Sequence, residues 1–141
     1  MKQNAIITSG MRSTIGATSE PKTYKVERNS VLKFAKAIGD INPYYSNNRT
    51  LEEIPGHGII VPATFSRTLR PSPSNLEFDP GFPGVLDAGS TWQYLAPIHI
   101  NDDITVSTKL VDLNEKIGSL GKMLLADRET TYTNQHNTLV Y

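Results

Sequence analysis

Asp40 stands where a side chain can be held for chemistry. It follows Gly39 and precedes Asn42 and Pro43, so it lies just past a helix end on a turn stiffened by proline. A carboxylate held that way can give or take a proton, and catalytic groups are usually presented like this. Asp-x-Asn-Pro is also ordinary turn chemistry. However, the C-terminal end of a helix is already partly negative, which makes an anion there unfavourable and argues for a reason beyond stability. The second candidate is the start of a helix at Pro62. The backbone N–H groups of Ala63, Thr64 and Phe65 would be unpaired there and, helped by the helix dipole, could polarise a carbonyl oxygen; the plainer reading is that Pro62 simply begins a buried helix. Of the three histidines, His57 lies between two glycines in a loop and reads as a surface residue, although it could in principle act as a base. His99 and His136 lie in or beside turns. Histidines this scattered have no His-x-x-x-His spacing, so no metal site is expected.

The composition narrows the classes of function. At 141 residues the chain is expected to form one domain with a real hydrophobic core. Fourteen basic residues balance fourteen acidic ones, which leaves no long-range field for nucleic acid or an anionic membrane. The absence of cysteine excludes disulfides, thiolate metal sites and thiol catalysis. The first residues lack the apolar core of a signal peptide, and no run approaches a membrane span. The default expectation is a cytoplasmic protein.

The positioning elements follow from periodicity. Residues 1–20, small and polar, read as a surface arm. Thr23–Val26 alternates as a short strand. Val31, Phe34, Ala35 and Ile38 form the i, i+3, i+4, i+7 stripe of a helix over 29–38, capped by Asn29 or Ser30 and stopped by Gly39. One helical turn is expected over 51–54 and a helix from Pro62 to about Leu69, where proline suits the first position. Residues 71–84 hold four prolines and read as a stiff ordered loop. Strands follow: Thr91–Ala96, with Trp92 and Tyr94 in the sheet core or at a dimer interface, then one with Ile104, Val106, Thr108 and Leu110 on one face, then Lys122–Thr133. Gly118 and Gly121 fit a hairpin rather than a phosphate loop. Thr138–Tyr141 begins a last strand that stops almost at once, so either another chain covers that edge or the natural chain continues. The fold class is α+β, a curved antiparallel sheet wrapped around a central helix.

The ordered set of segments Tyr24–Arg28, Phe34–Ala35, Ala37–Asp40, Asn42–Pro43 with Tyr45, Gly58–Phe65, Pro97–Ile98, Asp102–Ile104, Glu115–Lys116 with Gly118 and Gly121, and Tyr132–Gln135 resembles the MaoC-like dehydratases, in particular subunits related to the dehydratase region of type I fungal fatty-acid synthase. The resemblance covers roughly residues 12–140. It implies a hot-dog fold and an acyl thioester on CoA or acyl carrier protein, with no other cofactor, bound in a tunnel between paired hot-dogs. It also implies reversible dehydration of an (R)-3-hydroxyacyl thioester to the trans-2-enoyl thioester. Active members of that family carry Asp-x-Asn-Pro-x-His, in which Asp and His position and deprotonate water. Asp40 and Asn42 match the motif, and Tyr45 stands at the His position. A phenol with a pKa of about 10 is ionised to roughly 0.1% at neutral pH, and loss of an imidazole base removes about 10²–10⁴ of rate. Tyr45 is then either a donor to substrate or an aromatic wall of the tunnel, and Asn42 bonds its own turn. The resemblance puts Gly58, Ile60, Pro62, Ala63 and Thr64 at the substrate, with Pro62-Ala63 replacing a family His-Gly. This departure resembles the non-catalytic partner subunits of heteromeric dehydratases. The expectation is an acyl-binding hot-dog subunit, as homodimer or as heterodimer with a catalytically complete subunit. The alternatives are an autonomous hydratase using Asp40 and a non-enzymatic acyl-CoA-binding module.

Overall fold

The computed structural model describes residues 6–45, 58–72, 82, 84–119 and 121–141. The elements are α1 (Ser9–Ser13), β1 (Lys22–Lys25), α2 (Arg28–Ala37), two 3₁₀ segments (Pro43–Tyr45 and Ala63–Thr68), β2 (Asp103–Gly118) and β3 (Gly121–Thr133). The sheet order is β1-β2-β3. Lys22 to Lys25 pair antiparallel with Val106 to Asp103. The expected turn over 51–54, His57 and most of the proline-rich loop lie outside the described residues. No described helix is long and apolar enough to cross a membrane.

Two compact units share β2. One comprises residues 22–70, 92–106 and 131–141. Its core joins Val26, Val31, Phe65, Ile98, Ile104, Val106, Tyr132 and Val140. The predicted helix sits here, beginning at Arg28 behind Glu27. Asn29 and Ser30 therefore fall inside its first turn, and no side chain caps it. Val31 and Ala35 are buried, but Ile38 is 50% exposed because it is the C-cap, where the helical face ends. The expected strand over Thr91–Ala96 does not form. The Leu95 and Ala96 amides both donate to the Val140 carbonyl, a convergence that builds no ladder, and Pro97 has no N–H with which to extend it. Val140 donates to the Tyr132 carbonyl and Leu139 bridges Thr133, so the C-terminal segment folds back on the end of β3.

The other unit comprises residues 1–21, 71–91 and 107–130, and it corrects the expectation of a surface arm. Ile7 and Met11 are buried with Leu110 and Leu113 in a second core. Thr8 caps α1 with a complete capping box, in which its hydroxyl accepts from the Met11 amide. Ser19, also buried, accepts the Thr108 N–H through its hydroxyl and donates its own N–H to the Thr108 carbonyl. Two apolar residues four apart were too sparse a pattern to reveal this in a polar stretch. On β2, Ile104, Val106, Thr108 and Leu110 are buried as the alternation requires. Thr108 tolerates burial because its hydroxyl bonds that of Thr130, 2.7 Å away.

Candidate active site

Asp40 is held by the way α2 stops. The Gly39 N–H donates to the Lys36 carbonyl and the Asp40 N–H to the Ala35 carbonyl, the two bonds of a Schellman motif. Gly39 supplies the left-handed residue, at φ 72°. Asp40 thus occupies the position after the left-handed residue, which more often carries an apolar side chain packing back on the helix. Its carboxylate accepts the Asn42 N–H at 3.0 Å, closing an Asx turn, and the Asn42 carbonyl accepts the Tyr45 N–H at 2.9 Å. The Asp40-to-Tyr45 segment is therefore fixed to the helix end by consecutive bonds.

Tyr45, at the family His position, has its proton committed. Its hydroxyl donates to the Ile60 carbonyl at 2.8 Å. Burial, reinforced by the negative charge of Asp40, raises the phenol above its ordinary pKa. Both effects favour the neutral form, so the phenol does not supply a base at neutral pH.

The partner of that bond belongs to a second anchored segment. The Val61 N–H donates to the Ile98 carbonyl and the Ile100 N–H to the Ile59 carbonyl, so Ile59–Val61 is paired with Ile98–Ile100. Gly58 precedes it at φ 87°. Pro62 is buried and caps the 3₁₀ segment, whose Ala63 and Thr64 are exposed. The structure corrects two expectations here. The segment winds as a 3₁₀ helix, and the Phe65 N–H, expected to be free for a carbonyl, donates to the Pro62 carbonyl at 2.8 Å. An i→i+3 bond forms one residue earlier than an α-helical one and consumes that donor. The Ala63 and Thr64 amides have no acceptor among the described residues.

The predicted site residues therefore fall into two groups. Asp40, Asn42 and Tyr45 line an open groove of about 590 Å³ along α2, together with Asn29, Lys33 and Lys36. Ile60 and Ala63 line a second hollow of about 320 Å³ with Tyr94, Leu95 and Tyr141. The Tyr45–Ile60 bond joins one group to the other; Gly58, Pro62 and Thr64 line neither. Sequence reasoning missed Asn29, Lys33 and Lys36, which lie off the apolar stripe at i, i+4, i+7. It also missed Tyr141, whose ring meets Tyr94 edge-on at 4.8 Å. Burial, with Tyr94 and Tyr132 close by, pushes the Tyr141 phenol up to about 12.

The remaining polar cluster is structural. Buried Asp102 accepts the His99 N–H at 2.7 Å and the Gln135 side-chain amide at 2.9 Å. The His99 ring lies 3.7 Å from the same carboxylate, and Gln135 in turn accepts the Asp103 N–H. This clip ties the 99–102 turn to the turn after β3. His99 is thereby tied into this clip, and its backbone bridges Ile60, whose carbonyl accepts the Tyr45 hydroxyl. Among the described residues, no three His, Asp or Glu side chains form a possible metal-binding group.

Comparison with known proteins places this geometry. A UPF0336 protein of Thermobifida fusca is 28% identical over 128 residues, 86% of this chain and 83% of its own. The ChsH1–ChsH2 complex of Mycobacterium tuberculosis matches with a TM-score of 0.70 at 17% identity, covering 94% of this chain and 91% of that one. The C-terminally truncated HadBC (3R-hydroxyacyl-ACP dehydratase) complex, from the same organism, matches at 0.68 and 17% identity, covering 90% of each chain. These likenesses show that the α+β fold is the hot-dog of the MaoC-like dehydratases. The family model described as "FAS1-like, dehydratase domain region" matches residues 13–141, nearly the whole chain, and the protein belongs to that family.

Proposed function

We propose that this chain is the acyl-binding subunit of an (R)-3-hydroxyacyl-thioester dehydratase or enoyl-CoA hydratase. In this reading it pairs with a second hot-dog subunit that carries the complete Asp-x-Asn-Pro-x-His motif. Hydration adds water oxygen to C3 of the enoyl thioester and a proton to C2, while charge develops on the thioester oxygen; dehydration is the reverse. A base must take a proton from the attacking water, and donors must meet the developing oxyanion. The observation that carries the reading is the Tyr45 hydroxyl, which stands at the base position and gives its proton to the Ile60 carbonyl. With that proton engaged and the phenol held neutral, Asp40 lacks the imidazole with which its family counterparts work. HadBC and ChsH1–ChsH2, each a complex named for two different subunits, support a second subunit. The exposed Ala63 and Thr64 amides are the donors this chain offers to a carbonyl oxygen.

The test is reconstitution. A hot-dog chain with the intact motif, co-expressed with this one, is expected to form a one-to-one complex on size-exclusion chromatography with multi-angle scattering. Asp40→Asn in this chain should leave the complex active, whereas replacing the motif Asp of the other chain should abolish turnover. Loss of all turnover from Asp40→Asn alone, in an intact complex, would overturn the assignment of the chemistry to the partner.

A further inference from the structure

Helix α2 has a second face that its core packing does not use. Val31 and Ala35 turn inward, while Asn29, Lys33 and Lys36 line the open groove that ends at Asp40 and Tyr45. Two features of this face go beyond what a solvated helix requires. Lys33 and Lys36 are like charges three residues apart, an arrangement that disfavours the helix. Neither ammonium has an ion-pair partner among the described residues. The helix dipole accounts for Lys36 in the last turn but not for Lys33 one turn earlier, since its effect fades beyond the terminal turn. The rest of the lining includes Leu32 and Ile41, and Ile41 is 95% exposed. The groove thus offers apolar wall beside two cations that have no ion-pair partner among the described residues, and its lining includes Asp40. Its volume of about 590 Å³ is in the range of small-molecule sites.

Resting on the acyl-thioester reading above, we infer that this groove takes the phosphate-bearing end of the substrate's carrier arm. Lys33 and Lys36 meet the phosphate of the 4′-phosphopantetheine unit, the unit that CoA and acyl carrier protein share. The apolar wall fits the uncharged pantetheine chain, and the two cations offset the repulsion between Asp40 and an incoming anion. Two ammonium groups on flexible stems suit a phosphate that is held in place but must be released each turnover, since Lys binds phosphate as a point charge rather than as a rigid fork.

The test compares three ligands with the same acyl group: crotonyl-CoA, crotonyl-4′-phosphopantetheine and crotonyl-pantetheine. Binding to this chain in complex with a motif-bearing subunit, whose own motif Asp is replaced so that turnover is blocked, is measured by calorimetry for wild type, Lys33→Glu/Lys36→Glu and Lys33→Ala/Lys36→Ala. All are compared in low salt, and Lys25→Glu serves as a charge control away from the groove. The Glu pair is expected to weaken both phosphate-bearing ligands by about tenfold or more, with the Ala pair intermediate. Crotonyl-pantetheine should bind all variants alike, and the loss should shrink as salt rises. Unchanged affinity for crotonyl-CoA in the Glu pair would overturn the inference while leaving the acyl-thioester reading intact. Equal loss for all three ligands would overturn it too, since the lysines would then act through the fold. Loss confined to crotonyl-CoA would move the contact to the nucleotide and overturn the shared-phosphate assignment. If the wild-type complex binds none of the three, the acyl-thioester reading itself falls.

Discussion

Replacing Tyr45 by phenylalanine separates a clip from a catalyst. The substitution removes one oxygen and leaves the ring in place. It deletes the 2.8 Å bond to the Ile60 carbonyl, the link between the Asp40 turn and the Ile59–Val61 segment. A neutral hydrogen bond contributes about 0.5–1.5 kcal/mol net. Ile60 is 53% exposed, so water can reach the freed carbonyl and the loss should fall at the middle of that range, about 1 kcal/mol. For a chain of this size that corresponds to a melting temperature lower by about 3 °C. Turnover of the reconstituted complex should change by less than about threefold, because a group that neither accepts nor donates the transferred proton cannot account for the 10²–10⁴ of a general base. Calorimetric melting and enoyl-thioester kinetics on the same preparation read both quantities. A fall in kcat of about a hundredfold or more with an unchanged melting temperature would refute the reasoning, because Tyr45 would then be handling protons.

Three other perturbations test the framework around the site. Asp102→Ala should lower stability by about 1–2 kcal/mol, because it removes the buried carboxylate that the half-buried His99 N–H and the exposed Gln135 side-chain amide donate to. Asp103→Ala removes only an exposed 3.5 Å pair with Lys25 and should lower it by less than about 0.5 kcal/mol in denaturant titrations. Gly39→Ala should cost about 1–2 kcal/mol through backbone strain, since φ is 72° and, among the described residues beyond its chain neighbours, no atom lies within 4 Å of the added carbon; Ile38→Ala, on the exposed C-cap, should be nearly neutral by the same titration. In alkali, the fold favours the neutral phenol of Tyr141, held at about 12 against its usual 10. Stability should therefore be intact below pH 10 and fall as the pH climbs toward 12, the fall being smaller in Tyr141→Phe; phenolate absorbance followed during unfolding checks the sign.

How much of this the sequence showed depended on the range of the interactions involved. Helix α2 with its stop at Gly39, the β1 and β2 strands and the Gly118–Gly121 hairpin are local patterns, and they were readable within a few residues of error. The burial of Ile104, Val106, Thr108 and Leu110 followed from simple alternation. What the sequence hid was set by partners distant along the chain. Ile7 and Met11 are core residues only because Leu110 and Leu113 come to meet them. Thr91–Ala96 has strand-like composition but has no ladder partner among the described residues. At the site, the resemblance located Asp40, Asn42 and Tyr45, which the groove does bring together. It said nothing of where the Tyr45 hydroxyl points, since Ile60 lies fifteen residues away. The 3₁₀ winding after Pro62, which consumes the Phe65 donor, depends on a backbone choice that propensities do not resolve.

The most direct test of the account is crotonyl-CoA hydration followed at the enoyl absorbance, first with this protein alone and then with a subunit carrying Asp-x-Asn-Pro-x-His added. The account predicts no turnover above background for the single chain and hydration exceeding that of either chain alone once the two are combined. Robust hydration by the isolated chain, lost on Asp40→Asn, would contradict it, because Asp40 would then be working without the imidazole that Tyr45 replaces.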